Sequence, residues 1–336
     1  MRHNTSNNQK YTEELNFNSS YTHLPVLVRE IASYIKMTSG KSIHYLVDAT
    51  LGEGGHSEFF LSTYSNLKII AFEQDQEILA IAQERLKNFS DRIEYVNENF
   101  SEAPSYLKKK GLEVDYFFYD FGISSYHFDK SQRGFAFKQD EELDMRLSQN
   151  LEVKAADILN TYPEKKLADL FYNYGEERKS RQIASYLCRE RQRNYISTTQ
   201  QLASLVLRVL PHKNKKNKIH PATRVFQALR IEVNNELQAI ENGLAAAIYS
   251  LAPGGRILAI SFHSLEDRIV KEQFKKWSKG CQCNQEGQFC LCSSKPLVKI
   301  LTKKPISPLE DEIEKNYRSR SAKLRVVEKA SEEESY

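Results

Sequence analysis

The chain has 336 residues, with 48 Lys and Arg against 44 Asp and Glu, for a formal net charge of +4. At roughly 150 residues per domain there is room for about two domains. The 18 Tyr and 17 Phe exclude global disorder, 13 Gly and 9 Pro exclude a fibrous chain, and +4 is too mild to name a partner.

Residues 1–20 are polar and lack the apolar core of a signal peptide, so they are expected to form a flexible lead. No stretch reaches the ~20 apolar residues of a membrane helix. Cytoplasm is the expected compartment, with no membrane partner. Residues 43–49 read as a buried strand running into a Gly-rich turn, 56–65 as a helix and 67–73 as a second strand. Ile78, Ala82, Leu86 and Phe89 recur at helical spacing over 75–89. Strands follow at 92–97 and 114–121, completing a βαβ alternation that predicts a parallel sheet. Residues 133–220 then show only helical patterns, at 152–160, 164–173, 176–192 and 199–210. One long helix is predicted over 222–251, a turn at Pro253-Gly254-Gly255, and a strand at 256–261. Strands near 297–301 and 323–328 and a short helix at 307–315 close the pattern. The fold class is α/β, with a sheet domain at 21–132 and 221–330 interrupted by a helical insert at 133–220.

Open α/β sheets bind ligands beyond the C-terminal ends of their strands. The first such end is Asp48-Ala-Thr-Leu-Gly52-Glu-Gly54-Gly55-His56, and the second is Glu73-Gln-Asp75. An acidic side chain after strand two is placed to accept from ribose hydroxyls. The dinucleotide fingerprint would need Gly at 57, where this chain has Ser57. S-adenosylmethionine fits better, since it has no pyrophosphate and carries an amine that wants a carboxylate. The glycines also serve a plain turn, Asp75 a helix N-cap, and Phe100 either an adenine face or the core.

Five cysteines are present; Cys281, Cys283, Cys290 and Cys292 form C-x-C-x6-C-x-C. The pattern suits either four zinc thiolates or an ordinary loop of reduced thiols, and no metal is assigned. Charge is unevenly spread: residues 175–224 hold twelve Lys/Arg and three acidic residues, or 12 − 3 = +9. Lys213, Lys215, Lys216 and Lys218 are its densest run, and Arg224 opens the long helix. Such density suits RNA phosphate, with a solvated face as the bland alternative.

Several long stretches resemble a known family. They are HLPVL at 23–27, DATLGEGGHS at 48–57, ENF at 98–100, DFGISS at 120–125, RGFAF at 133–137 and LDMRL at 143–147. YGEER at 174–178, HPATRVFQALRIEVNNEL at 220–237, GGRILAISFHSLEDRIVK at 254–271 and RSRSAKLRV at 318–326 continue them. Over about residues 21–329 the chain resembles the bacterial small-subunit ribosomal RNA cytosine-N4 methyltransferases. The resemblance implies a class I (Rossmann-like) methyltransferase sheet with an inserted all-helical domain, S-adenosylmethionine as methyl donor, and cytosine 1402 of 16S rRNA in the small ribosomal subunit as target. It leaves monomer and homodimer both open. By motif position it implies donor contacts at Gly54, Gly55, His56, Glu73, Phe100, Asp120 and His127. Glu73 stands where the family has Asp, His127 where it has Gln, and Phe121 where it has Leu.

A cytosine amine is a weak nucleophile because its lone pair is delocalised into the ring. A site must align it with the methyl carbon, accept its hydrogen bonds and receive its proton. Ser124 and Ser125 are candidate partners for N4 or plain turn and N-cap residues. His263 is a candidate base or the donor that holds its loop. Asp144 and Arg146 shape the pocket or pair with each other, and His220 contacts phosphate or caps its helix.

Overall fold

The computed structural model describes residues 25–37, 41–211, 220–279 and 295–331. In chain order its elements begin α1 (Val28–Tyr34), β1 (His44–Asp48), α2 (Gly55–Thr63), β2 (Leu67–Phe72), α3 (Gln76–Arg85), β3 (Ile93–Val96), α4 (Ala103–Lys110) and β4 (Val114–Asp120). There follow α5 (Ser125–Asp129), α6 (Ala155–Thr161), α7 (Glu164–Asn173), α8 (Ser180–Glu190), α9 (Thr199–Val209), α10 (Thr223–Asn234) and α11 (Glu236–Ser250). The chain closes with β5 (Leu251–Ser261), α12 (Ser264–Trp277), β6 (Val298–Ile300), α13 (Glu310–Lys315) and β7 (Lys323–Lys329).

The seven strands form one sheet in the order β3-β2-β1-β4-β5-β7-β6. The first five run parallel, while β7 lies antiparallel to both β5 and β6. This is the class I methyltransferase sheet that the sequence resemblance implies. Alternation along each strand sorts the core into two layers. Leu46, Ile69, Tyr116, Phe118, Leu258 and Ile260 point to one face, which Ile31 of α1, Phe60 of α2 and Leu79 of α3 cover. Val47, Ile70, Phe117, Tyr119, Ile257 and Ala259 point to the other, beneath Leu107 of α4, Leu244 of α11 and Phe274 of α12.

Two predicted elements differ in detail. The single helix expected over 222–251 is two helices, because Asn235 takes a left-handed conformation at φ 49° and ends α10. Asn tolerates that region better than other side chains do. Pro253-Gly254-Gly255 is absorbed into β5 as an irregularity, with Gly254 at φ 73° and a register shift against β4 between Val114 and Tyr116.

The chain divides into two compact units, 1–123 with 238–336, and 124–237. Residues 124–132 and 221–237, grouped with the sheet from sequence, lie in the second unit. In α10 the reason is visible. Val225, Phe226, Ala228 and Leu229 form an apolar stripe, and α10 packs on α6 and α7.

Within the second unit, α10 also organises the loop that precedes α6. Asn234 Oδ1 accepts from Leu147 N at 2.7 Å, and its Nδ2 donates to Met145 O at 2.8 Å and Arg230 O at 2.9 Å. Met145 itself sits at φ 60°. These contacts connect two of the motifs read from sequence, LDMRL and the α10 segment. Replacing Asn234 by Ala leaves buried backbone groups unpaired, so it is expected to destabilise the protein by about 2–3 kcal/mol. Chemical denaturation of the two proteins measures this.

Candidate donor-binding site

The site begins with the loop after β1. Asp48, 1% exposed, receives a hydrogen bond from Ser57 Oγ at 2.6 Å on Oδ2 and from Thr50 N at 3.3 Å on Oδ1. Ser57 lies in the first turn of α2. The residue that departs from the dinucleotide fingerprint thus has a positive role, holding a carboxylate at the start of that helix. A pyrophosphate would meet this negative charge where a dinucleotide fold offers helix N–H groups.

Gly54 precedes α2 at φ 81°, and a Cβ there would come within 3.0 Å of Leu86 Cδ1. Gly55 opens the helix beneath Pro25 and Arg85. Gly52, at φ 53°, has no atom within 4 Å of a would-be Cβ among the described residues. Its N–H donates to Glu73 Oε2 at 3.0 Å, while Glu73 Oε1 accepts from Asp75 N at 2.8 Å. Glu73 therefore ties the loop after β1 to the loop after β2. Each of its oxygens keeps a lone pair beyond these bonds. Asp75 is the N-cap of α3, accepting from Glu77 N at 3.0 Å.

Asp120 ends β4, next to β1 in the sheet. Its backbone N donates to Thr50 Oγ1 at 2.6 Å, and Oδ2 lies 3.5 Å from His56 Nδ1. His56 Nε2 donates to the Val26 carbonyl at 2.9 Å. Burial pushes the Asp48 carboxyl up to about 6 and that of Asp120 up to about 7, the latter helped by the negative charges of Asp48 and Glu266. Burial likewise takes Glu73 to about 7 against the opposing pull of the Asp75 and Gly52 amides.

Phe100 sits half-buried at the edge of the core. Its ring centroid is 5.9 Å from that of Tyr119 and 5.8 Å from that of Phe121, and Gly243 of α11 makes room for it, since a Cβ there would come within 3.0 Å of the ring. One part of the ring packs and another remains exposed, so both readings offered by the sequence keep a physical basis.

His263 is the N-cap of α12. Nδ1 accepts from Glu266 N at 3.4 Å, and Glu266 Oε2 returns to the backbone N–H groups of Phe262 and His263 at 2.7 and 3.2 Å. This is a capping box with His in the usual Ser or Thr position. With Nδ1 accepting from the backbone, the ring supplies the loop-holding role that the sequence left open beside that of a base.

The remaining candidates lie in the second unit. Ser124 caps α5 by accepting from Tyr126 N at 3.1 Å, and Ser125 is buried. His127 is buried with its ring 4.9 Å from Phe135. Arg146 grips Asp144 with Nε at 2.7 Å and Nη2 at 2.8 Å, and this pairing holds the Asp144 carboxyl below the usual carboxylate range despite partial burial. His220 Nδ1 accepts from Ala222 N at 3.1 Å. Arg224, 53% exposed, donates to Glu176 O at 3.3 Å. Arg191 turns inward, donating to Leu159 O and Tyr162 O at 2.7 Å each, so not every cation of the +9 segment faces solvent. Lys213, Lys215, Lys216, Lys218 and the cysteines 281, 283, 290 and 292 lie outside the described residues.

The sequence does not signal Ser57 as the partner of Asp48, Thr50 as an acceptor for Asp120 N, or the Val26 carbonyl as the support of His56. Each bond joins positions separated by a loop or a strand. The capping box of α12 did carry a sign, in Glu266 three residues after His263.

The desolvated carboxyls of Asp48, Glu73 and Asp120 make stability depend on pH. Their folded-state pKa values lie above those of the unfolded chain, near 4. Their stabilising contribution is therefore present at low pH and lost as pH rises through about 6 to about 7. Each of these carboxyls is expected to cost the ligand-free protein on the order of 3 kcal/mol between roughly pH 4 and pH 8. Asp120→Asn should melt above the wild type at pH 8 but not at pH 4, as thermal unfolding at both values will show.

Residues 20–330 match the MraW methylase family. A Carboxydothermus hydrogenoformans protein named ribosomal RNA small subunit methyltransferase H is 44% identical over 312 residues, covering 93% of this chain and 99% of that protein. A Treponema denticola protein of the same name is 45% identical over 317 residues, with 93% and 99% covered. One from Finegoldia magna is 41% identical over 311 residues, with 92% and 99% covered. With a match across nearly its whole length and these motifs on a class I sheet, the chain belongs to the MraW methylase family.

Proposed function

We propose that this protein is a 16S rRNA cytosine-N4 methyltransferase, acting on the decoding-region cytosine 1402 within the small ribosomal subunit in the cytoplasm. The observation that carries the reading is the set of three desolvated carboxyls at the C-terminal ends of β1, β2 and β4, with Asp48 buried and Glu73 and Asp120 partly exposed. Partly desolvated carboxylates in such a row suit a cationic ligand with hydroxyls and repel a dinucleotide. The methyl donor is S-adenosylmethionine, which supplies a methyl group activated by positive sulfur.

This chain's own residues do the rest. Glu73, anchored by two amides, presents its remaining lone pairs to ribose hydroxyls. Gly54 and Gly55 set the tight entry into α2, and the exposed part of Phe100 offers a face for a purine. Asp48 and Asp120 supply negative charge in a dry setting, where it acts most strongly on a cation. By motif resemblance His127 is a further donor contact, and the hydroxyls of Ser124 and Ser125 are candidate partners for the amine.

The helical insert is the RNA-facing part of this reading. Arg178, Lys179, Arg181, Arg189 and Arg208 are exposed. Arg189 lies 5.8 Å from the Tyr186 ring centroid, and Arg208 donates to the Tyr186 hydroxyl at 3.4 Å. Cations beside an aromatic ring suit a single-stranded RNA segment, and a cytosine must leave its stack to be methylated. Among the described residues no helix is long and apolar enough to cross a membrane.

Incubation with tritiated donor and small subunits from a strain lacking the modification is expected to yield N4-methylcytidine on nucleoside mass analysis. Absence of label would favour the second reading, a non-catalytic RNA-binding assembly factor on the same fold. Neutralising Lys213, Lys215, Lys216 and Lys218 together should weaken RNA binding and flatten the slope of log K against log salt by about 3. Filter binding across salt concentrations measures it, and an unchanged slope removes the run from the interface.

A further inference from the structure

The two carboxylate oxygens of Asp120 stand in different surroundings. Oδ2 lies 3.5 Å from His56 Nδ1. Oδ1 is buried and has no hydrogen-bond partner among the described residues. The Val26 carbonyl, which can only accept, fixes the hydrogen of His56 on Nε2. Nδ1 and Oδ2 then need one shared proton between them, since two bare lone pairs facing each other repel. The charged groups that act on Asp120 come from three elements. They are His56 from α2, Asp48 from β1 and Glu266 from α12.

We infer that Asp120 Oδ1 is the atom that takes the proton from N4 of the target cytosine, with His56 as the positioning residue that holds Oδ2. This deepens the proposed methyltransferase reading and rests on it. The N4 lone pair forms a bond to the methyl carbon as the methyl–sulfur bond breaks, and that bond's electron pair stays on sulfur. The nitrogen now bears the methyl, two hydrogens and a positive charge. One of those protons passes to Oδ1, leaving a neutral methylated amine and a protonated Asp120, which later returns the proton to solvent. The negative charges of Asp48 and Glu266 favour this uptake, and a carboxyl raised to about 7 is matched to neutral operating pH. The competing groups are engaged elsewhere: Ser124 Oγ accepts from Tyr126 N, while His263 Nδ1 accepts from Glu266 N and its Nε2 lies 3.0 Å from Glu266 Oε1.

The test is single-turnover methyl transfer to unmodified small subunits at saturating donor, from roughly pH 5 to pH 9, with donor affinity measured by calorimetry. The wild-type rate is expected to fall on the acid side, at or below about pH 7. Asp120→Asn keeps the shape and removes the basicity. Its rate at saturating donor should drop by about 10²–10⁴-fold and the acid-side fall should vanish, while the loss of donor affinity that goes with removing a donor contact is offset by saturation. His56→Asn removes the group that faces Oδ2, so its acid-side fall should move. An Asp120→Asn protein with the wild-type rate at saturating donor, or with the acid-side fall intact, overturns the assignment. An unmoved limb in His56→Asn overturns the partnership. A wild type that transfers no methyl sinks the methyltransferase reading itself, an outcome distinct from an active wild type with an active Asp120→Asn.

Discussion

The hydrogen bond from Ser57 to Asp48 sets the terms for the rest of the site. It places a buried carboxylate at the start of α2, where many nucleotide-binding folds keep an anion-binding helix terminus free. The neighbouring strand ends hold further carboxyls at elevated pKa, Asp120 through desolvation and the nearby Asp48 and Glu266 charges, and Glu73 through desolvation and the nearby Asp75 charge. The electrostatic preference of the region is thereby inverted, from phosphate to cation, without any change of fold.

The same sheet explains why these groups are held so firmly. β1, β2 and β4 are adjacent, and Asp48 and Asp120 each end a strand whose preceding residues are almost entirely buried. Side chains at such ends inherit the stiffness of the packed layers behind them. The loops add cross-ties rather than slack. Glu73 joins two loops through backbone amides, and Thr50 holds the amide of Asp120.

Much of this was legible in the sequence, and particular residues show why the remainder was not. The run Val-Asp-Tyr-Phe-Phe-Tyr-Asp at 114–120 alternates between two buried faces, so its strand character is local and readable. The direction of β7 is not local, because an alternating pattern reads the same from either end. The break at Asn235 hides within a continuous apolar stripe that runs on through α11. Ser57 reads as a missing glycine until the loop closes and brings Asp48 against it. His263 carries a catalytic residue's reputation, yet the Glu266 three positions later already marked a cap. Arg191 counts as one more cation in a basic segment, although it is consumed by two carbonyls of its own unit. Composition locates charge along the chain; only folding decides which charges remain available to a polyanion.

The bond between His56 and the Val26 carbonyl spans thirty residues. Val26 lies ahead of α1, and Leu27 beside it is fully buried at φ 58°, with its N–H bound to Glu312 of α13 at 2.8 Å. A distant C-terminal helix thus steadies the peptide that selects the imidazole tautomer. A change at Glu312 would therefore bear on His56 through one peptide, without a hydrogen bond, among the described residues, to the strand that carries Asp120.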